Sequence, residues 1–337
     1  MSATGSVEFR RESLAVEILD PRRGFRPAVS TLEIRQDPLT GLTARLIAPS
    51  GLLPRSDFDL AALAQQTAPT CPFCSSRIDE HVPRFPRTLI AEGRVRVGEA
   101  VLFPNLLPYS QYSAVSVYSP ERHYLPLAEM TPALVSDNLA THVSFCRQAV
   151  LADPDARWAS INANHMLPSG SSVFHPHLQG GVNPRPTNMQ RLLAGVPPDR
   201  YEAYLESERR AGERFLGEIG DTVWVTAFAP LGFAEIRAFL PGVASPAELS
   251  PGQVTDLGTG VAAVLNFYAD LGFESFNMAV YGAPPHTPGY PLNLRLVCRS
   301  NLQPLYRSDT AWLDKLHWEP TSDVSPEELA ERARGRF

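Results

Sequence analysis

One pattern occurs twice in this chain, and the repetition narrows the fold more than any other feature of its 337 residues. Thr131-Pro132 opens a helix, with the hydroxyl at the N-cap and proline in the first turn. The apolar face of that helix is Val135, Leu139, Val143, Cys146 and Val150, at helical spacing. Ser250-Pro251 opens a second helix with Val254, Leu257, Val261, Val264, Leu265 and Tyr268 on one side, and Gly272 ends it. Two strand-like stretches precede each helix, Arg94 to Phe103 with Ser113 to Tyr118, and Thr222 to Phe228 with Ala234 to Leu240. Two more follow each helix, Trp158 to Ala163 with Val173 to Gln179, and Ser275 to Tyr281 with Leu292 to Cys298. The helix starts, like the strands at 173 and 292, lie about 119 residues apart, which is the signature of an internal duplication. The expected fold class is therefore α+β: two duplicated units, each an antiparallel sheet with a packed helix.

The two copies are not equipped alike. The first carries Val173-Phe174-His175-Pro176-His177-Leu178-Gln179, preceded by Asn164 and Gly170-Ser171-Ser172. Side chains alternate along a strand, so an extended segment places His175, His177 and Gln179 on one face, in a row about 13 Å long. Pro176 stiffens the row and withholds an amide from any ladder, which places it at a strand end or sheet edge. Neutral imidazole binds metals and attacks phosphorus; a carboxamide donates to a phosphate oxygen without adding charge. Asn164 and the Gly-Ser-Ser turn supply amides and hydroxyls of the kind that cradle phosphates. The bland alternative is a pair of structural histidines. The matching strand of the second copy, Leu292 to Cys298, has no histidine, so one half is expected to do the chemistry and the other to support it.

Asn164, Gly170-Ser171-Ser172 and His175-Pro176-His177-x-Gln179 resemble the active-site segment of the galactose-1-phosphate uridylyltransferases, a transferase branch of the histidine-triad superfamily. Hydrolase branches generally carry a third histidine where Gln179 stands. The resemblance extends to Asp37-Pro38-Leu39-Thr40-Gly41, Cys71-Pro72-Phe73-Cys74, Phe103-Pro104-Asn105, Ser119-Pro120 and, faintly, Pro304-Leu305-Tyr306-Arg307-Ser308. It implies histidine-triad-like units and a catalytic role for His177, as nucleophile, and for Gln179. It places Asn105, Asn164, Gly170, Ser171, Ser172 and Arg55 on the nucleotide and its phosphates, and Glu319 on sugar hydroxyls. The family's arginine spacing after Ala48-Pro49 is not reproduced at Arg55, and the glutamine that usually assists Glu319 is not evident. The second departure moves the expected sugar away from galactose.

A CxxC pair in a cytosolic chain is a redox pair or half of a zinc site. Here no strand leads into Cys71-Pro72-Phe73-Cys74 and the surrounding loop is rich in Pro and Ser, which favours zinc. By the resemblance, His123 and His175 complete a tetrahedral Cys2His2 site holding one structural zinc ion. The family's histidine directly follows Ser/Thr-Pro-x, whereas here Arg122 takes that place and His123 comes one residue later. Some relatives hold a second metal through the other half. The matching positions are Tyr281, Val297 and Arg299, so no second metal is expected. Cys146 and Cys298 lie in apolar segments and read as buried thiols, and His142 as a packed histidine.

Composition sets outer limits. A net charge of −6 argues against a general nucleic-acid binder, which needs a basic face. No apolar run approaches a membrane span and the start lacks a signal peptide's apolar centre, so a cytoplasmic protein is expected. The 32 prolines, scattered among apolar strands, read as rigid loops. Residues 1–30 are polar and without period, an arm or frayed start. Residues 31–190 form the catalytic half with the zinc site, and residues 191–337 the silent half, beginning with a charged helix from Asp199 to Ile219 that Gly220 closes.

The function these features imply is nucleotidyl transfer between a nucleoside diphosphate sugar and a sugar 1-phosphate, through a covalent nucleotidyl-histidine. Homodimerisation follows from the resemblance alone. The alternatives are a phosphorylase of nucleotide sugars or dinucleoside polyphosphates using inorganic phosphate, and a non-catalytic, zinc-stabilised nucleotide-binding protein.

Overall fold

Caps and apolar spacing place the helices where the sequence puts them, and strand pairing then fixes everything else. The structure is a computed structural model that describes residues 7–47, 58–305 and 308–337. A hairpin of β1 (Arg10–Asp20) and β2 (Arg26–Gln36) leads into β3 (Thr43–Leu46), α1 (Leu60–Thr67) and α2 (Ile78–His81). The first repeat is β4 (Val95–Val97), β5 (Ala100–Pro104), β6 (Tyr112–Val117), α3 (Pro132–Ala152), β7 (Trp158–His165) and β8 (His177–Asn183). Helices α4 (Asn188–Ala194) and α5 (Pro198–Ala211) bridge to the second repeat. That repeat is β9 (Phe215–Ile219), β10 (Thr222–Thr226), β11 (Phe233–Leu240), α6 (Pro251–Asp270), β12 (Ser275–Tyr281) and β13 (Leu292–Arg299). The chain ends with α7 (Trp312–His317), β14 (Thr321–Ser322) and α8 (Pro326–Ala333).

The ten repeat strands form one sheet in the order β4-β5-β6-β8-β7-β12-β13-β11-β10-β9. Read inward from each end, the two halves have the same order, so the duplication is a property of the topology. β7 and β12 meet antiparallel in the middle, with Ile161 opposite Val280 and Asn164 opposite Asn277. Helices α3 and α6 pack on each other and on one face of the sheet. Their common core takes Val135, Leu139 and Leu178 from one half and Val261, Leu265 and Leu296 from the other. The helices touch closely enough that a Cβ on Gly258 would lie 2.2 Å from the Ser136 hydroxyl. Gly180 plays the same part under α3, since a Cβ there would lie 2.3 Å from His142 Nδ1. His142 is buried, bonded through Nε2 to Ser116 Oγ at 2.7 Å, and held down to about 3 by burial. It is a packed histidine. Cys146 and Cys298 are buried free thiols. No helix among the described residues is long and apolar enough to cross a membrane.

Four segments differ from the sequence reading. Residues 10–30 are a regular ribbon: Leu14, Val16 and Ile18 alternate with Ser13, Ala15 and Glu17, and Leu14 pairs with Leu32. That short period of two was diluted by the charges around it, and β2 runs through residue 30 without a break. The bridging helix stops at Ala211 because Gly212 takes a left-handed φ of 69°, and Phe215–Ile219 becomes a strand. Arg94 to Phe103 is two strands, turned at Gly98. The strand carrying the histidines begins only at His177, so residues 173–176 belong to the loop. Pro176 has no amide to add to the ladder.

The Asp37 turn docks on the second half. Asp37 is 1% exposed and its Oδ1 accepts from the Leu39 and Thr40 amides at 3.0 and 2.8 Å. Its Oδ2 accepts from Arg237 at 2.8 Å and lies 3.7 Å from Arg295, which also bonds Glu235. Burial pushes this carboxyl up, but Arg237 and Arg295 outweigh it and hold it below the ordinary value. The ion pairs therefore stabilise the fold above the unfolded pKa of about 3.9 and lose that contribution as the pH falls through the lower folded value. Asp37→Ala strands two buried guanidinium groups and is expected to cost about 3–5 kcal/mol in urea unfolding at pH 7. A change under about 1 kcal/mol would mean the turn contributes little to stability.

Candidate active site and metal centre

On β8, residues alternate between the helix side, with Leu178 and Gly180, and the opposite side, with His177 and Gln179. Gln179 pairs with Asn162 of β7, and alternation puts Asn164 on the same side. Between β7 and β8 the chain makes the loop 166–176. It starts with Met166 at a left-handed φ of 68° and turns again at Gly170, φ 94°. A residue with a side chain at positive φ is strained, and such strain is held only where the surroundings enforce it. Ser171 is buried and its hydroxyl donates to the Val173 carbonyl at 2.6 Å, while Ser172 is exposed. The ideal Cβ position on Gly170 is 4.0 Å from Asn164 Nδ2. The structure thus brings His177, Gln179, Asn164, Gly170, Ser171 and Ser172 around one end of β7 and β8.

The tautomer of His177 follows from its partner. Nδ1 lies 2.8 Å from the carbonyl of His175, which only accepts, so Nδ1 carries the proton and Nε2 the lone pair. Burial holds the ring's pKa below the ordinary histidine value, more strongly than the His175 carbonyl raises it. A neutral imidazole with a fixed, free Nε2 is the form that attacks phosphorus.

His175 is set the other way round. Its Nε2 donates to the Ser119 carbonyl at 2.9 Å, leaving the Nδ1 lone pair facing Cys71 and Cys74 Sγ, each at 3.7 Å. His123 presents Nδ1 to Cys74 Sγ at 3.3 Å. Its Nε2 lies 2.8 Å from Thr67 Oγ1, whose own proton goes to the Leu63 carbonyl at 2.9 Å, so Nε2 is the donor. The four ligand atoms lie within 4.8 Å of one another. A tetrahedral ion bound at about 2.3 Å to sulfur and about 2.1 Å to nitrogen requires an S···N edge of about 3.6 Å. The observed edges match, and both rings offer the required lone pair, so these residues fit a bound metal. Burial, then the neighbouring Cys71, pushes the Cys74 thiol up to about 12. Two sulfurs this close ionise together only around a cation. Arg122 points away, 3.5 Å from Glu99, which frees His123 to act as the ligand despite the one-residue shift. Phe73 stands edge-on to both His175 and His177 and carries the cluster loop onto Val101, Phe103, Val115 and Val117.

The outer positions are placed differently. Asn105 starts the loop between β5 and β6, its Oδ1 accepting from the Leu107 amide at 3.1 Å. Glu319 is held by Thr43 Oγ1 at 2.9 Å and by Arg45 at 2.8 Å. Arg55, Tyr306 and Arg307 lie outside the described residues. Thr67 and Asn277 are partners that no motif announced, and Ser119, named only as part of Ser119-Pro120, acts through its carbonyl: Thr67 and Ser119 set tautomers and Asn277 bonds Asn164. Thr67→Val removes the acceptor that fixes His123, and a chelator competition should show metal affinity about tenfold weaker. Unaltered affinity would mean that the ring is oriented without Thr67.

No family model matches the chain. An uncharacterised protein of Archaeoglobus fulgidus is 31% identical over 340 residues, covering 97% of this chain and 98% of that one. Among solved structures, a GalT-like protein from Arabidopsis thaliana has a TM-score of 0.67 at 18% identity, over 90% of this chain and 98% of the other. An ADP-glucose phosphorylase from Arabidopsis thaliana, with bound ADP-glucose, gives 0.66 at 18% identity, over 90% and 99%. A uridylyltransferase gives 0.57 at 20% identity, over 90% and 98%. These likenesses show that the mirrored ten-stranded sheet is a fold shared with the GalT-like protein and the ADP-glucose phosphorylase. The chain and its Archaeoglobus fulgidus relative thus belong to one family, and the chain carries the fold of the GalT-like protein over 90% of its length.

Proposed function

We propose that the protein transfers a nucleoside monophosphate from a nucleoside diphosphate sugar to a second phosphate compound, through a covalent intermediate on His177. The observation that carries this reading is the fixed tautomer: Nδ1–H bonded to the His175 carbonyl and Nε2 bearing the lone pair. Nε2 attacks the α-phosphorus, the bond to the bridging oxygen breaks, and sugar 1-phosphate leaves with that electron pair. In the second step an oxygen of a sugar 1-phosphate attacks the same phosphorus and the P–N bond breaks, regenerating the neutral ring. Splitting the transfer this way avoids a direct approach between two anions. Gln179 and the Ser171-Ser172 segment hold the non-bridging oxygens, where negative charge gathers in the transition state. Asn105 and Asn164 serve the nucleotide, and Arg55 its phosphates.

Cys71, Cys74, His123 and His175 hold one zinc ion in this reading. Bound there, the ion supplies rigidity rather than Lewis-acid chemistry. His175 is the link, since its ring belongs to the cluster and its carbonyl orients His177. Residues 31–190 then make up the catalytic half, residues 191–337 the second half, and the N-terminal arm is the exposed ribbon. Gln179, as a carboxamide, shuttles no proton, which disfavours a hydrolase. Glu319, the sugar-side position, already bonds Thr43 and Arg45, in keeping with an acceptor other than galactose 1-phosphate. The ADP-glucose phosphorylase likeness makes inorganic phosphate the second acceptor to test.

Incubation with α-phosphate-labelled UDP-glucose and ADP-glucose should leave acid-labile label on the wild type and none on His177→Gly. A labelled His177→Gly would remove His177 from the nucleophile's role, and an unlabelled wild type would favour a non-catalytic nucleotide binder. Chasing the labelled protein with a set of sugar 1-phosphates and with inorganic phosphate separates transferase from phosphorylase. Fast chase by galactose 1-phosphate alone would contradict the altered sugar side. Metal analysis after chelator-free purification should find close to one zinc per chain, lost together with stability in Cys74→Ser. Metal-free wild type would leave the two cysteines as ordinary thiols.

A further inference from the structure

The second half has no histidine on β13, yet one of its side chains reaches the phosphate loop of the first. Asn277 stands directly opposite Asn164 across the β7–β12 junction. Its Nδ2 donates to Asn164 Oδ1 at 2.6 Å, to the Ser169 carbonyl at 3.0 Å and to the Ala163 carbonyl at 3.3 Å. Ser169 immediately precedes Gly170, so one amide joins the end of β7 to the start of the loop. Asn277 Oδ1 in turn accepts from Arg299 Nη1. Arg299 is anchored by Asp309, which accepts from its Nε at 2.9 Å and from the Ser300 amide at 2.8 Å.

The chemistry of this chain runs in one direction. A guanidinium has only donors, so the Asn277 atom facing Arg299 is the oxygen and the atom facing Asn164 is the nitrogen. The Asn164 atom facing Asn277 is then oxygen, and Asn164 Nδ2 is left as the donor on the Gly170 side, where the loop makes its left-handed turn. Amide orientation, which heavy-atom positions alone leave ambiguous, is here set by an arginine two steps away.

We infer that Asn277 and Arg299 are positioning residues that orient the Asn164 carboxamide, so that its N–H groups face the phosphate of the nucleotide. The inference rests on the proposed reaction at His177. The second half is thus a working part of the site: β12 and β13 supply the groups that keep a donor, and not an acceptor, beside the incoming anion. An oxygen in that place would repel the phosphate and misdirect it from Nε2.

Asn277→Asp tests this with almost no change in shape. The carboxylate accepts from Arg299 and from Asn164 Nδ2, which turns the Asn164 oxygen toward the loop. Single-turnover labelling of the wild type with α-phosphate-labelled UDP-glucose and ADP-glucose gives the reference rate. Asn277→Asp is expected to slow labelling about 100-fold. Arg299→Met should slow it about tenfold, and Arg299→Lys, which keeps a donor-only group, should recover most of the rate. In an Asn164→Ala background, Asn277→Asp should change the rate by no more than about threefold, because the route through Asn164 is gone. Metal content and melting temperature serve as checks that the variants are folded. Equal rates in Asn277→Asp and wild type, or full additivity with Asn164→Ala, would overturn the inference. An unlabelled wild type would sink the nucleotidyl-histidine reading instead, and the relay would then be judged by calorimetry with UMP and AMP. There, about tenfold weaker binding to Asn277→Asp upholds it and unaltered binding overturns it.

Discussion

The antiparallel pairing of β7 with β12 is the contact on which the rest of the molecule depends. It closes two five-stranded halves into one ten-stranded sheet and so lets α3 and α6 share a single core. Neither half could bury its helix as well alone, because the inner edge strand of each would present unpaired backbone groups to water. The same pairing fixes Asn164 opposite Asn277 and carries the polar row of the candidate site across the junction. The geometry of the candidate site and the stability of the fold therefore rest on one ladder.

Around that ladder, the site is built from donors and acceptors whose roles leave no choice. Backbone carbonyls accept and nothing else, and each of them decides a histidine tautomer. Ser119 turns His175 toward the cysteines, the His175 carbonyl fixes the tautomer of His177, and Thr67, itself committed to Leu63, turns His123. The Cys/His cluster and His177 are consequently parts of one mechanical unit, joined through the ring and the carbonyl of His175. Apolar walls from the half-buried Phe73 and the buried Phe174 shield these bonds from water, where each would be weaker.

The two halves have diverged without becoming independent. The strand β13 that matches β8 carries Asn293, Arg295, Val297 and Arg299 on its site-side face instead of histidines. Arg295 and Arg237 receive the Asp37 turn, and Arg299 holds Asn277. These cations thus anchor an N-terminal segment and hold an amide. The duplicated unit kept its fold because its core positions stayed apolar, while the opposite face was free to take new work.

How much of this the chain announces by itself depends on the range of the interaction. Local rules read well: Thr131-Pro132 and Ser250-Pro251 cap the helices as expected, with Thr131 bonded to the Leu134 amide and Ser250 to that of Gln253. The repeat, the CxxC pair and the His177–Gln179 alternation were also legible, since each depends on residue type and spacing, whereas His123 and His175 joined Cys71 and Cys74 only through the resemblance. Boundaries were less so. The charged run after Asp199 looked helical to Gly220, but Gly212 ended it, because a single left-handed residue overrides propensity. The ribbon of residues 10–36 was hidden because its apolar face is only a few residues long. What tertiary structure alone decided is which distant residues meet. Asn277 lies 113 positions from Asn164, and nothing in its neighbours marks it, whereas strand register brings the two amides to 2.6 Å. Sequence sets the chemistry each residue has to offer; long-range backbone pairing, which no local pattern encodes, determines the partner it is offered to.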